Sequence, residues 1–154
     1  MSHILSQQQF SVATEPRAFL GFMQVKENWL KIIPGCKKGS VTSINEEGDW
    51  LLKGNFKYTF SDHASEVKDD GSVLFSYSVH VKGKLMGMLP LDFKMDVTWD
   101  VKKSVEDPNT SVVERTILNF KSFKCSALKK ILKRKLRSKI REENKTIKRM
   151  LDKS

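Results

Sequence analysis

Hydrophobic positions change their spacing three times along the chain, and each change marks a new kind of element. Residues 9–13, Gln-Phe-Ser-Val-Ala, alternate polar and apolar side chains as a half-buried strand does. Thr14-Glu15-Pro16 then offers a capping oxygen, an early acid and a proline tolerated in a first turn, which predicts a short helix carrying Phe19, Leu20 and Phe22. Val25, Trp29, Ile32 and Ile33 share one face of a second short helix, and Pro34-Gly35 stops it.

Beyond that stop the pattern is extended. Strands are predicted over 40–44, over 50–58 after the turn-prone Glu46-Glu47-Gly48-Asp49, and over the more polar 59–68. Asp69-Asp70-Gly71 can take the positive φ angles of a tight hairpin and returns the chain into residues 73–81. There Val73, Phe75, Tyr77, Val79 and Val81 form one face, and Leu74, Ser76, Ser78 and His80 the other. The clearest alternation runs through Leu91, Phe93, Met95, Val97, Trp99 and Val101, with three aspartates among the intervening positions that point outward. After the turn Asp107-Pro108-Asn109, residues 112–120 form a last strand whose alternation is blurred, as a bulge or burial on both faces would make it.

From about Ser126 the spacing becomes helical again. Leu128, Ile131, Leu132, Leu136, Ile140, Ile147 and Leu151 recur at three- and four-residue steps, and no proline or glycine interrupts them. The order is strand, two short helices, six strands and one long helix, an α+β arrangement with helices against one face of an antiparallel sheet.

That order accompanies the stretch Trp29-Leu30-Lys31-Ile32-Ile33-Pro34-Gly35-Cys36. Together they resemble the START-like (SRPBCC) helix-grip superfamily, which includes birch-pollen-allergen-like proteins and polyketide cyclases. The Trp-x-x-x-x-Pro-Gly segment is most similar to two branches of it, one holding a member of the carbon monoxide dehydrogenase subunits and the other the coenzyme Q-binding proteins. The resemblance covers nearly the whole chain and implies one START-like domain over residues 1–154. It also implies a seven-stranded curved antiparallel sheet that grips the long C-terminal helix around a ligand cavity. Such proteins hold lipids, quinones or polyketides there, and some catalyse cyclisation or hydrolysis.

The inward strand faces nominate Trp50, Phe56, Tyr58, Phe75, Tyr77, Phe93, Met95 and Trp99 as cavity wall, opposed by Leu128, Leu132 and Leu136. Two readings are open: a filled core needs about as many large side chains as a ligand wall does. The loop 82–90 is unusually apolar for a hairpin connection, with Leu85, Met86, Met88 and Leu89 framed by glycine and proline. It reads as a cavity-mouth lid, as a self-packed loop or as an external contact.

Charge adds a further feature. The net charge is +10, yet residues 1–120 hold 14 Lys and Arg against 15 Asp and Glu, whereas 121–154 hold 14 against 3. Lys129, Lys130, Lys133, Arg134, Arg137 and Arg141 lie on the polar face of the last helix and nominate a contact with an anionic surface. Nucleic acid is disfavoured as the partner, because no aromatic residue after position 123 interleaves with the basic ones to stack on bases.

Catalytic and metal signals are thin. His3, His63 and His80 show no metal spacing, and His80 has no acid beside it in sequence. Cys36 and Cys125 form no Cys-x-x-Cys pair and read as ordinary thiols. No metal site, catalytic constellation or cofactor is expected. The first residues lack a targeting pattern and no apolar run reaches the roughly 18 residues of a membrane span, so a cytoplasmic protein is expected. The expected function is binding or transport of an apolar small molecule between sheet and C-terminal helix. Two alternatives stand beside it: a cyclase-like or hydrolytic enzyme using Tyr58 or Tyr77 with Asn55 or Arg115, and an interaction module acting through the basic helix.

Overall fold

A computed structural model describes residues 3–123 and 129–153. One antiparallel sheet of seven strands has the order β1-β7-β6-β5-β4-β3-β2, with the N-terminal strand on one edge beside the last. The strands are β1 (Ile4–Val12), β2 (Ser40–Ser43), β3 (Trp50–Lys53), β4 (Lys57–Val67), β5 (Val73–Leu85), β6 (Leu89–Lys103) and β7 (Ser111–Ser122). Helices α1 (Pro16–Gln24), α2 (Lys26–Ile32) and α3 (Lys129–Asp152) cover the apolar face. This is the α+β helix-grip architecture, and no described helix is long and apolar enough to cross a membrane.

Helix α1 begins at Pro16, where a missing N–H costs nothing. Its N-cap residue is Glu15 rather than Thr14, without a side-chain cap; the carbonyl of Thr14 instead accepts the Ser111 hydroxyl at 2.6 Å. Val25 is the extended joint between α1 and α2 and is 45% exposed, so the buried face of α2 rests on Trp29 and Ile32, not on Val25.

The turn expected near 58–59 lies instead at residues 54–56, which divides the expected 50–58 strand between β3 and β4. A Cβ on Gly54 would stand 2.2 Å from the Cys36 sulfur, so only glycine lets this turn pack against the end of α2. Further along, β5 and β6 consume most of the expected 82–90 loop, leaving a three-residue tip with positive φ at Met86 and Gly87. The blurred alternation of β7 has its cause at Asn119, in the left-handed region at φ 55 beside a register shift against β6. Val113, Arg115 and Ile117 point inward before this bulge. After it the parity reverses, and Phe120 meets the Phe93 ring at 5.3 Å.

On α3 the inward stripe is Leu132, Leu136, Ile140, Asn144, Ile147 and Leu151, at steps of three and four. Ile131, expected on this face, is 53% exposed because it falls one position off the stripe. Leu128 lies outside the described residues. The polar member of the stripe, Asn144, is fully bonded: its amide donates to Gln8 Oε1 at 2.7 Å and its carbonyl accepts from Arg115 at 3.0 Å. At the far end, Asp152 accepts the Ala13 N–H at 2.9 Å and ties α3 to the junction of β1 and α1.

Candidate functional site

The sheet and α3 do not close completely on each other. Between them lies a cavity of about 160 Å³, walled by Tyr58 and Phe60 of β4, by Tyr77, Val79 and Val81 of β5, and by Leu91, Phe93 and Met95 of β6. The opposite wall is Leu132, Leu136 and Ile140 of α3, and Trp29 and Ile33 close one side. The rim carries Phe56, Leu85, Lys135 and Lys139, with the Lys139 ammonium 5.3 Å from the centre of the Phe56 ring.

Polar groups also face this apolar space. Arg115 reaches inward from β7 and is only 3% exposed; it donates to Glu143 Oε1 on α3 at 2.8 Å and lies 4.7 Å over the Trp99 ring. Its Nε is buried and has no hydrogen-bond partner among the described residues. A buried N–H without an acceptor is costly, and this one belongs to a residue that lines the cavity. Tyr77 is also buried there: its hydroxyl accepts the Trp99 indole N–H at 3.1 Å, and burial holds its ionisation well above the ordinary range of a phenol.

Tyr58 is differently engaged. Its hydroxyl donates to Asn55 Oδ1 at 2.9 Å, the same oxygen that accepts from the Cys36 thiol at 3.2 Å and from the Phe56 N–H at 3.0 Å. This knot latches the β3–β4 turn to the end of α2. Burial pushes both the Tyr58 hydroxyl and the Cys36 thiol toward their neutral forms. Cys36 is a free buried thiol, whereas Cys125 lies outside the described residues.

Of the eleven residues proposed as cavity wall from sequence, Phe56, Tyr58, Tyr77, Phe93, Met95, Leu132 and Leu136 line this cavity. Trp50 and Phe75 line a second cavity of about 240 Å³ on the far side of Phe60 and Tyr77. Trp99 lines neither and is wholly buried, stacked on Phe75 with ring centres 5.8 Å apart. Glu143 escapes the sequence reading, although an acid one position before Asn144 on an otherwise basic helix is a visible signal. Arg115, by contrast, shows its inward position by alternating with Val113 and Ile117.

The apolar tip divides by residue. Leu85 lines the cavity, Leu89 is 40% exposed, and Met86 and Met88 stand out at 84% and 83% exposure instead of folding over the mouth. Lys129, Lys130, Arg134 and Arg141 are exposed on α3, while Lys133 is half-buried near the Phe120 ring. Arg137 is committed elsewhere, its Nε donating to the Leu5 carbonyl at 2.9 Å. The acid absent beside His80 in sequence is supplied by the fold: Asp92 on β6 approaches the imidazole at 2.5 Å, on the sheet face away from the cavity. Among the described residues no three His, Cys, Asp or Glu side chains converge as metal ligands.

This combination of sheet, gripped helix and enclosed apolar space is the START-like fold, and solved structures share it. A START superfamily protein from Mycobacterium smegmatis matches with a TM-score of 0.60 and 10% identity, over 96% of this chain and 97% of that one. A conserved protein from Geobacillus kaustophilus gives 0.66 and 14% identity, over 96% and 95%. The Zhui aromatase/cyclase from Streptomyces sp. R1128 gives 0.57 and 9% identity, over 99% and 94%. No protein-family model and no curated protein sequence matches the chain.

Proposed function

We propose that this protein, as a single START-like unit, binds and carries an apolar small molecule in the cavity between sheet and α3, with a hydrogen-bond acceptor on the ligand meeting Arg115. The observation that carries the reading is a space walled almost wholly by aliphatic and aromatic side chains, into which one buried arginine with an unmet N–H is set. Such a site selects a molecule that is apolar over most of its surface and polar at one point. Titration with an environment-sensitive apolar fluorophore tests this. Leu136→Trp, which fills the space from a half-buried position, should abolish the fluorescence rise while leaving the circular dichroism unchanged. An unchanged rise in that variant would place the binding elsewhere.

Delivery to and from an anionic membrane is the mode of action we infer. Met86 and Met88 project beside a cavity that also contacts the first turns of α3, where Lys129, Lys130 and Arg134 are exposed. An apolar tip flanked by cations is suited to a lipid surface of negative charge. A cyclase-like reading draws support from Tyr77, Arg115 and Glu143 at one cavity and from the fold shared with an aromatase/cyclase. It would require turnover of a polyketide-like substrate that Arg115→Met eliminates.

A further inference from the structure

The two cavities are neighbours with a common wall. Trp29, Phe60 and Tyr77 line both of them, the first holding about 160 Å³ and the second about 240 Å³. Each alone is smaller than the roughly 300 Å³ at which small-molecule sites begin, and the two joined exceed it. Their outer openings also differ: the first has Lys135 and Lys139 at its rim, the second Lys26, His63 and Ser65.

The three rings of the wall are not held equally. The Trp29 indole N–H donates to the Met23 carbonyl at 3.0 Å, and the Tyr77 hydroxyl accepts from Trp99 at 3.1 Å. Phe60 has no polar anchor. It is held by rings alone, stacked on Trp50 at 4.1 Å and tilted against Trp29 at 5.4 Å and Tyr77 at 5.5 Å.

Resting on the ligand-binding reading above, we propose that Phe60 is the length stop of the site. A single-chain amphiphile enters from the lysine rim with its head at Lys135 and Lys139, and its tail ends against the Phe60 ring. Removing that ring joins the compartments and admits a longer chain. Phe60 therefore determines specificity through its position, as the face a terminal methyl group meets.

Straight-chain fatty acids from octanoate to stearate, titrated into the full-length protein, supply the test. Affinity should rise about fourfold with each methylene buried, then level once the tail reaches Phe60. In Phe60→Ala the levelling point should move to longer chains. Ala64→Trp fills the second cavity from an exposed position; combined with Phe60→Ala it should restore the original levelling point, and alone it should not shift it. Should Phe60→Ala not fold, Phe60→Leu should show the same displacement by fewer carbons. An unchanged levelling point in a folded Phe60 variant, or a shortened range in Ala64→Trp alone, overturns the length stop. Failure of the unmodified protein to bind any chain overturns the cavity reading itself.

Discussion

Arg115 concentrates the opposing demands on this interior. A guanidinium only 3% exposed is tolerable because Glu143 and Asn144 on α3 accept its terminal N–H groups and Trp99 offers its ring face. Arg115→Ala should therefore cost about 3–5 kcal/mol in urea denaturation, since it leaves the Glu143 carboxylate largely buried without its partner. The double change Arg115→Met with Glu143→Leu should recover much of that loss. If the single and double variants are equally unstable, the pair is not the source of the cost. Arg115 was legible in the sequence as an inward position of an alternating strand. Its partner was not, because pairing between β7 and α3 is a property of the fold.

Gly54 makes a second case at this scale. With a Cβ excluded by the Cys36 sulfur, Gly54→Ala should destabilise by about 1–3 kcal/mol, as overpacking a close contact does. A stability unchanged within a few tenths of a kcal/mol would show that the turn can yield.

Among the elements, α3 is the one that sequence pattern defines best and that depends most on its partners. Few of its residues are apolar, so its helicity rests on the stripe from Leu132 to Leu151 and on tethers to β1 through Arg137 and Asp152. Burial alone would raise the Asp152 carboxyl, but the Ala13 N–H and Lys148, whose ammonium is 3.0 Å away, hold it below the ordinary value. A carboxylate depressed in the folded state stabilises above its unfolded pKa of about 3.9 and loses that contribution as pH falls toward the folded value. Acid unfolding of Asp152→Asn should accordingly be less steep below about pH 4 than that of the unmodified protein, while its stability at pH 7 is lower. Parallel curves would exclude the tether.

The β3–β4 turn shows why other elements were harder to place. Trp50, Leu52, Phe56, Tyr58 and Phe60 all occupy even positions, and the three-residue connection at 54–56 preserves that parity. Alternation thus continues through the turn as though the chain were straight. Gly54-Asn55 was the available signal, and a long β-like run masked it. The apolar hairpin tip was masked in the opposite sense, since glycines at 83 and 87 suggested a loop where strands β5 and β6 continue. Gly83 permits that continuation, for a Cβ there would stand 2.5 Å from the Phe56 ring.

At the scale of the molecule, charge and cavity are arranged together. The basic excess lies on residues 121–154, and the first turns of α3 share the cavity with the base of the Met86 and Met88 hairpin. Binding to vesicles containing phosphatidylserine should weaken on the order of a hundredfold when Lys129, Lys130 and Arg134 are changed to Gln, at about 1 kcal/mol for each cation near the surface. It should also fall with added salt and with Met86→Ser and Met88→Ser. Binding that survives all of these changes would remove the membrane from the account.

The alternation of β5 and β6 and the spacing of α3 showed which faces turn inward, but whether those faces meet depends on a gap between sheet and helix that no single segment encodes. That gap is the central claim. Native mass spectrometry of the protein purified without denaturant examines it directly: the account predicts a folded species carrying one apolar molecule, released on activation and absent from Leu136→Trp. A ligand-free mass throughout, with a crystal structure in which side chains close the space between Tyr77, Phe93 and Leu136, would contradict it.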